Sequence, residues 1–444
     1  MATMRRTYNY SCNLHSNQLI FRNMNRERFN MQGSAARRQW RDGYNMDVFV
    51  PDPTGALYQD ELDDVNDDDL IPQSLDDFWN AFPDCPGPFR LMGWERIGDP
   101  WESTILRVRH GVGNRGRSET LIFKIYKDND ALDKCRIENT ALICFGETEV
   151  PVPEPVYCCD DASLSPWGTP VLVMKGQNSE TCMTLQELLE YYPARRTEYI
   201  SLMAKLQFMI HDPNSAARHW DRSWAATFND PKFLIHSMDR RIANLKPPHV
   251  ANTQIFEKMF LWLRSRAKHV RPIPGLTHGD FVPSNIMQYD GRSMCIIDWT
   301  SFAVDDIRFD LGWTIMMFRT ENLLQEYKDL VDIYLKEYRH LWEPTIKDSD
   351  LDYFVAFACT KRLLQFFKIH LMSPDDRISH DLEDLYTSMK NLMRHWNAVY
   401  RLLAEKAKLS LVEVERHLKN LLSFIYNARA QTTFNLMHLL AVHL

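Results

Sequence analysis

The chain has no lysine before Lys124, no basic residue of any kind between positions 47 and 77, and no CxxC pair. No apolar run approaches the ~18 residues of a membrane span, and the stretch from Leu436 to Leu444 is interrupted by His438 and His443. Each absence excludes something. The nine cysteines (Cys12, Cys85, Cys135, Cys144, Cys158, Cys159, Cys182, Cys295 and Cys359) are odd in number and scattered. That argues for reduced thiols and against a disulfide scaffold or a zinc module. The adjacent Cys158 and Cys159 read as a strand or loop pair rather than a redox site. Hydrophobic residues at 45% and charged ones at 25% exclude wholesale disorder and a collagen-like fibre. At about 150 residues per domain, 444 residues suggest three units or one large bilobal fold with an extension.

The charge is unevenly spread. Residues 1–46 hold eight arginines against Glu27 and Asp42, whereas residues 47–77 hold ten Asp and one Glu. The acidic run around Asp63–Asp69 repels itself and is expected to stay solvated, unless the basic surface of a protein partner receives it. Residues 1–80 are therefore expected to form a flexible extension, and residues 1–77 to be dispensable for folding. The arginine-rich start has the composition of a mitochondrial transit peptide, but it carries six Asn before Met31. No apolar core of signal-peptide length is present. The expectation is a cytoplasmic protein, with mitochondrial import as the alternative. A net charge of −7 also opposes nucleic-acid binding.

From about Phe78 the composition becomes that of a folded domain. Phe89–Gly98, Thr104–His110 and Thr120–Tyr126 read as strands separated by turn-rich segments. A helix is expected over Ala131–Phe145, with Leu132, Cys135, Ile137 and Leu142 as its apolar side. Prolines at 151, 153 and 155 then force an extended chain. Val156–Cys159 and Pro170–Met174 complete a small α+β lobe. Beyond Thr184 the apolar spacing is helical over Leu185–Tyr192, Tyr199–His211, Pro231–Leu245 and Ile255–Val270, and again from Leu311 onward. One β element interrupts this region. Asn285–Tyr289 and Ser293–Asp298 flank Asp290-Gly291, a hairpin turn that needs positive φ.

The chemistry concentrates around that hairpin. THGDFVPSN (Thr277–Asn285) places a loop carboxylate, Asp280, five residues before Asn285, and Asp298 follows in CIIDW at the end of a buried strand. Phosphoryl transfer uses such parts: one carboxylate to orient and deprotonate an attacking hydroxyl, and an Asn with a second carboxylate to hold magnesium against nucleotide phosphates. Magnesium takes few protein ligands, so an Asn–Asp pair suffices.

HGDFVPSN with IIDW resembles the aminoglycoside phosphotransferase and choline kinase-like branch of the protein-kinase-like fold. The resemblance implies Asp280 as catalytic base, His278 as the residue that props the loop, and Asn285 and Asp298 as magnesium ligands. Asp310 in FDLGW matches the family's downstream Asp, in a structural role. Thr300 stands where the family often has an acid. In the small lobe, Ile122, Lys124 and Tyr126 share one face of the LIFKIYK strand. Lys124, preferred over Lys127 on the opposite face, would reach the phosphates of ATP beneath an adenine roofed by Ile122. Glu138 is its expected ion-pair partner, with Asp133 as the competing acid. VLVMKG corresponds to the interlobe hinge, with Met174 at the adenine edge. The segment Gly98–Ser103 sits at the phosphate-covering turn and is poor in glycine, while Gly111–Gly116 reads as an exposed turn.

The resemblance implies an α+β, bilobal protein-kinase-like fold. Its parts are the 1–80 extension, a β-rich N-lobe over 81–176, and a helical C-lobe over 177–444 that carries a catalytic loop at 277–310. The function it implies is ATP- and magnesium-dependent phosphoryl transfer to a hydroxyl of a small molecule. The competing reading is a non-catalytic relative that binds nucleotide or a partner. Asp375, Asp376, Asp381, Glu383 and Asp384 form an acid cluster suited to a cationic acceptor or to a solvated helix start.

Overall fold

Alternation along three successive strands builds the first layer. The computed structural model describes residues 68–81, 89–98, 103–112, 117–127, 130–177, 182–212, 254–289, 291, 293–320, 324–338, 346–371, 395 and 397–408. Strands β1 (Leu91–Gly98), β2 (Ser103–Val112), β3 (Arg117–Tyr126), β4 (Pro155–Cys159) and β5 (Val171–Lys175) form an antiparallel sheet in the order β1-β2-β3-β5-β4. Both faces of β3 are covered. Leu121, Phe123 and Ile125 enter one hydrophobic cluster with Leu106, Val108 and Trp167, while Tyr126 belongs to a second cluster and Ile122 packs against it. A strand covered on both sides reads as the near-continuous apolar run LIF-IY, in which Lys124 is the exception.

Helix α1 (Ile71–Ala81) closes the first of those faces. Ile71, Leu75, Phe78 and Trp79 recur at helical spacing and are buried. The Phe78 ring lies 5.7 Å from Phe123 and 5.6 Å from Trp167. This corrects the boundary drawn at residue 80. The helix completes the N-lobe core, and the acidic residues beside it concealed four buried side chains in one stripe. Residues 1–67 lie outside the described residues. Deleting residues 1–77, expected from sequence to be harmless, removes Ile71 and Leu75 from the core. Each fully buried aliphatic side chain is worth roughly 1.5–3 kcal/mol. Thermal or urea unfolding should show the truncated protein less stable by several kcal/mol, and Phe78→Ala alone should cost about 3–5 kcal/mol.

Helix α2 (Ala131–Gly146) follows β3 and packs on the opposite side of the sheet. Its buried residues are Ala131, Cys135, Glu138, Ala141, Leu142, Cys144 and Phe145. Leu132, assigned to the apolar side from the sequence, is exposed at 38%. The helix is turned so that Glu138, rather than an aliphatic residue, faces inward. The Cys135 and Cys158 sulfurs lie 3.6 Å apart, and all seven described cysteines are free thiols.

The C-lobe begins with the short β6 (Cys182–Thr184) and α3 (Leu185–Tyr191), which starts with a Thr184/Glu187 capping box. It continues through α4 (Arg196–His211) and α5 (Gln254–Ala267) to β7 (Pro274–Thr277), β8 (Ile286–Tyr289), β9 (Ser293–Ile296) and β10 (Ala303–Asp306). Helices α6 (Arg308–Thr320), α7 (Leu324–Tyr338) and α8 (Asp348–Leu371) complete it, with residues 397–407 also helical. Beyond the expected β8–β9 hairpin, β6 joins the edge of β8 and β7 pairs with β10. Strands of three or four residues such as PGLT and AVDD carry no alternation to read, so only their partners define them. Gly291 in the hairpin turn has φ +65°, whereas Asp290 and the expected helix Pro231–Leu245 lie outside the described residues. Among the described residues no helix is long and apolar enough to cross a membrane.

Candidate active site

Three segments converge where the lobes meet: the loop after β7, the turn after β9, and the inner face of β3 with α2. The loop after β7 is held from beneath by Asp310, in the first turn of α6. Its carboxylate accepts the backbone N–H of His278 at 2.6 Å and of Gly279 at 2.7 Å, and His211 Nε2 lies 3.2 Å away. Burial pushes the Asp310 pKa up, but His211, His278 and the Gly279 amide outweigh that and hold it below the usual carboxylate value. Gly279 has φ +82°, and a Cβ there would sit 2.2 Å from the Ser301 carbonyl oxygen. This tight crossing explains a glycine at the position.

His278 links the two carboxylate-bearing segments. Asp280 N donates to its Nδ1 at 3.3 Å, which leaves Nε2–H as donor to the Ile297 carbonyl at 3.0 Å. Its ring lies 4.5 Å from that of Trp299. Asp280 is partly buried, and its two oxygens are held differently. Trp313 Nε1 donates to Oδ1 at 2.6 Å, while Asn285 Nδ2 reaches Oδ2 at 3.3 Å and the Asp280 carbonyl at 3.0 Å. Lys361 Nζ, from α8, donates to the Gly279 carbonyl at 3.1 Å.

Asp298 adopts a left-handed conformation, φ +62°, unusual outside glycine but accessible to Asp. Its Oδ1 accepts from Lys124 Nζ at 2.7 Å and from Thr300 Oγ1 at 3.1 Å. Lys124 also donates to Glu138 Oε2 at 2.7 Å. The Glu138 carboxylate further accepts from Tyr126 Oη at 2.6 Å and from Trp299 N at 3.2 Å. One buried carboxylate thus joins α2, β3 and the turn after β9. Burial favours neutral Lys124, but the charges of Glu138 and Asp298 outweigh it and raise the lysine pKa above its ordinary value. Burial would likewise raise the Asp298 pKa, and the Lys124 charge and hydrogen bond, with His278 and Thr300, bring it below the ordinary value.

The structure therefore brings together Lys124, Glu138, His278, Asp280, Asn285 and Asp298. Glu138 rather than Asp133 meets Lys124, because Asp133 lies in the first turn of α2, over one turn earlier. Ile122 and Met174 are direct cross-strand partners on β3 and β5. The sequence reading placed Tyr126 on the face of Lys124 without giving it a role, and it missed His211, Trp313 and Lys361. Trp313 sits three residues after Asp310, one helical turn on, so helical spacing from FDLGW could have found it. Residues 99–102, expected at a phosphate-covering turn, residues 113–116 and the acid cluster Asp375, Asp376, Asp381, Glu383 and Asp384 lie outside the described residues.

Residues 93–344, more than half of the chain, match the phosphotransferase enzyme family known as APH. The chain belongs to this phosphotransferase family. Among solved structures it is similar to a Ralstonia eutropha protein provisionally named an aminoglycoside phosphotransferase, with 14% identity, a TM-score of 0.51, and coverage of 76% of this chain and 98% of that one. The choline kinase LicA of Streptococcus pneumoniae gives 13% identity and a TM-score of 0.47, covering 71% of this chain and 94% of that one. A choline/ethanolamine kinase family protein of Mesorhizobium loti gives 16% identity and a TM-score of 0.44, covering 74% and 99%. No curated protein matches the sequence significantly. The β-sheet lobe followed by a helical lobe is the protein-kinase-like fold of this family.

The lowered Asp310 pKa makes a prediction about acid stability. A carboxylate whose folded pKa lies below its unfolded value of about 3.9 contributes stability that is present above that pH and lost as pH falls through the folded value. Asp310→Asn should therefore lower the melting temperature clearly at pH 7. Its difference from wild type should shrink as the pH is lowered below about 4. A difference independent of pH would assign the role of Asp310 to shape alone.

Proposed function

We propose that this phosphotransferase moves the γ-phosphoryl group of ATP to a hydroxyl of a small molecule, with magnesium as cofactor. The observation that carries the reading is that one side chain, His278, bridges the loop bearing Asp280 to the segment bearing Asp298, while Lys124 reaches Asp298 from the other lobe. In this reading Asp280 orients the acceptor hydroxyl and takes its proton as the oxygen attacks the γ-phosphorus in line with the departing ADP oxygen. Lys124, positioned by Glu138, neutralises nucleotide phosphate charge, and Ile122 and Met174 flank the adenine.

The donor set suits magnesium. Asp298 and Asn285 offer hard oxygen ligands, and the Asp298 side chain is 39% exposed. The donor half of the Asn285 amide is engaged by Asp280, so its oxygen is the half that would serve as a ligand. Among the described residues no cluster of three or more His, Cys, Asp or Glu could hold a metal, and magnesium would complete its shell with phosphate oxygens and water. When bound, magnesium would screen the phosphate charge that develops during transfer. The presence of every required side chain speaks for turnover over a purely nucleotide-binding relative.

ATP consumption by the purified protein, measured across hydroxylated metabolites, amino alcohols and aminoglycosides, tests the reading and identifies the acceptor class. Failure to bind ATP with magnesium would refute it. The proposed location is cytoplasmic, and a tagged protein confined to mitochondria would overturn that part.

A further inference from the structure

The Asp280 carboxylate is held by more than its own loop. Trp313 Nε1 donates to its Oδ1 at 2.6 Å, and Trp313 is only 4% exposed. Lys361 Nζ lies 4.6 Å from the centroid of the same indole and donates to the carbonyl of Gly279, the residue before Asp280. Arg362 lies 6.0 Å from the ring on the same helix. A cation over an indole face draws electron density from the ring and makes its N–H a stronger donor. The Trp313 backbone is fixed by α6, whose Thr314 side chain bonds the Phe281 carbonyl at 2.7 Å and whose Asp310 holds the His278 and Gly279 amides. One rigid helix thus grips the loop on both sides of Asp280.

The geometry points to Trp313 as a positioning residue for the catalytic carboxylate, with Lys361 of α8 reinforcing it. The inference rests on the phosphotransferase reading above, because it assigns Trp313 a role only if Asp280 receives the acceptor proton. The indole occupies Oδ1 and locks the carboxylate rotation, so Oδ2 is the oxygen turned to the acceptor. Asn285 bonds that same oxygen only weakly, at 3.3 Å. Trp313 is placed to act through Asp280, and it is not assigned any contact with the reacting atoms.

Trp313→Phe removes the N–H while keeping an aromatic ring under Lys361. Magnesium-dependent phosphate release from ATP, with water as the acceptor, should fall in kcat by about tenfold or more, since small errors in orientation are costly. KM for ATP should stay unchanged, and the melting temperature should fall only modestly, by the cost of the smaller ring. In an Asp280→Asn background the same substitution should have no further effect, because the side chain it positions can no longer take the acceptor proton. Lys361→Met should give a smaller kcat loss. An unchanged kcat in Trp313→Phe, or an equal loss in both backgrounds, overturns the assignment.

A second measurement needs no turnover. In protein labelled with ¹⁵N-tryptophan, the indole resonance missing from Trp313→Phe should exchange slowly with solvent in wild type and quickly in Asp280→Ala. Fast exchange in wild type would overturn the assignment. Wild type that releases no phosphate while its indole stays protected would instead count against the phosphotransferase reading, so the two failures are distinguishable.

Discussion

Asp280→Asn should abolish phosphoryl transfer while leaving magnesium-dependent ATP binding in place. The substitution preserves size, and an amide oxygen can still accept from Trp313, so the loop pinned by Asp310 should keep its path. What disappears is the negative charge that orients the acceptor hydroxyl and the lone pair that takes its proton. A positioned general base contributes roughly 10²–10⁴-fold to rate. Asp298→Asn should behave differently, because in the proposed mechanism Asp298 holds the metal that nucleotide binding needs. Calorimetry of ATP binding beside product formation separates the two variants. If Asp280→Asn transferred phosphate as fast as wild type on every acceptor, the base would lie elsewhere. If it lost ATP binding, the residue would be serving the fold.

Lys124→Met should both destabilise the protein and raise KM for ATP. Lys124 is buried, and its ammonium is shared between a Glu138 side chain only 2% exposed and an Asp298 side chain 39% exposed. Removing one partner of a buried pair leaves an uncompensated charge and costs about 3–5 kcal/mol. The Tyr126 hydroxyl and the Trp299 amide remain on Glu138, so the lower end is the better expectation. Pairing the change with Glu138→Gln should restore much of the stability, since no buried charge is then orphaned, but none of the ATP affinity. Lys127→Ala, one residue past the end of β3, should change little. Melting temperatures and KM for ATP across the four proteins check this. A damaging Lys127→Ala with a silent Lys124→Met would place the phosphate-binding lysine at 127.

The N-lobe strands and α2 were legible because each carries its own pattern: alternation in LIFKIYK, proline spacing in PVPEP, and helical spacing after Ala131. The strand boundaries shifted by at most three residues, and those at Gly98, Tyr126 and Cys159 did not move. Helix α1 was misread because its acidic surroundings masked a stripe of four apolar residues, whose burial depends on the distant Phe123 and Trp167. Leu132 was misread for the complementary reason. An aliphatic residue counts as apolar in any window, but which face of α2 turns inward was set by Glu138 meeting Lys124.

The sequence by itself determined the chemistry-bearing residues of the loop and hairpin, since Asp280, Asn285 and Asp298 lie within one short segment whose spacing limits how they can be arranged. It also determined that Lys124 must point to the same side as Ile122 and Tyr126, because strand side chains alternate. Tertiary structure alone decided the rest. Lys124 meets Asp298 across 174 positions, Lys361 reaches Gly279 across 82, and Trp313 reaches Asp280 across 33. Contacts at such separations are products of packed helices and sheets. No local periodicity records them, because each partner obeys its own element and they meet only when the elements pack.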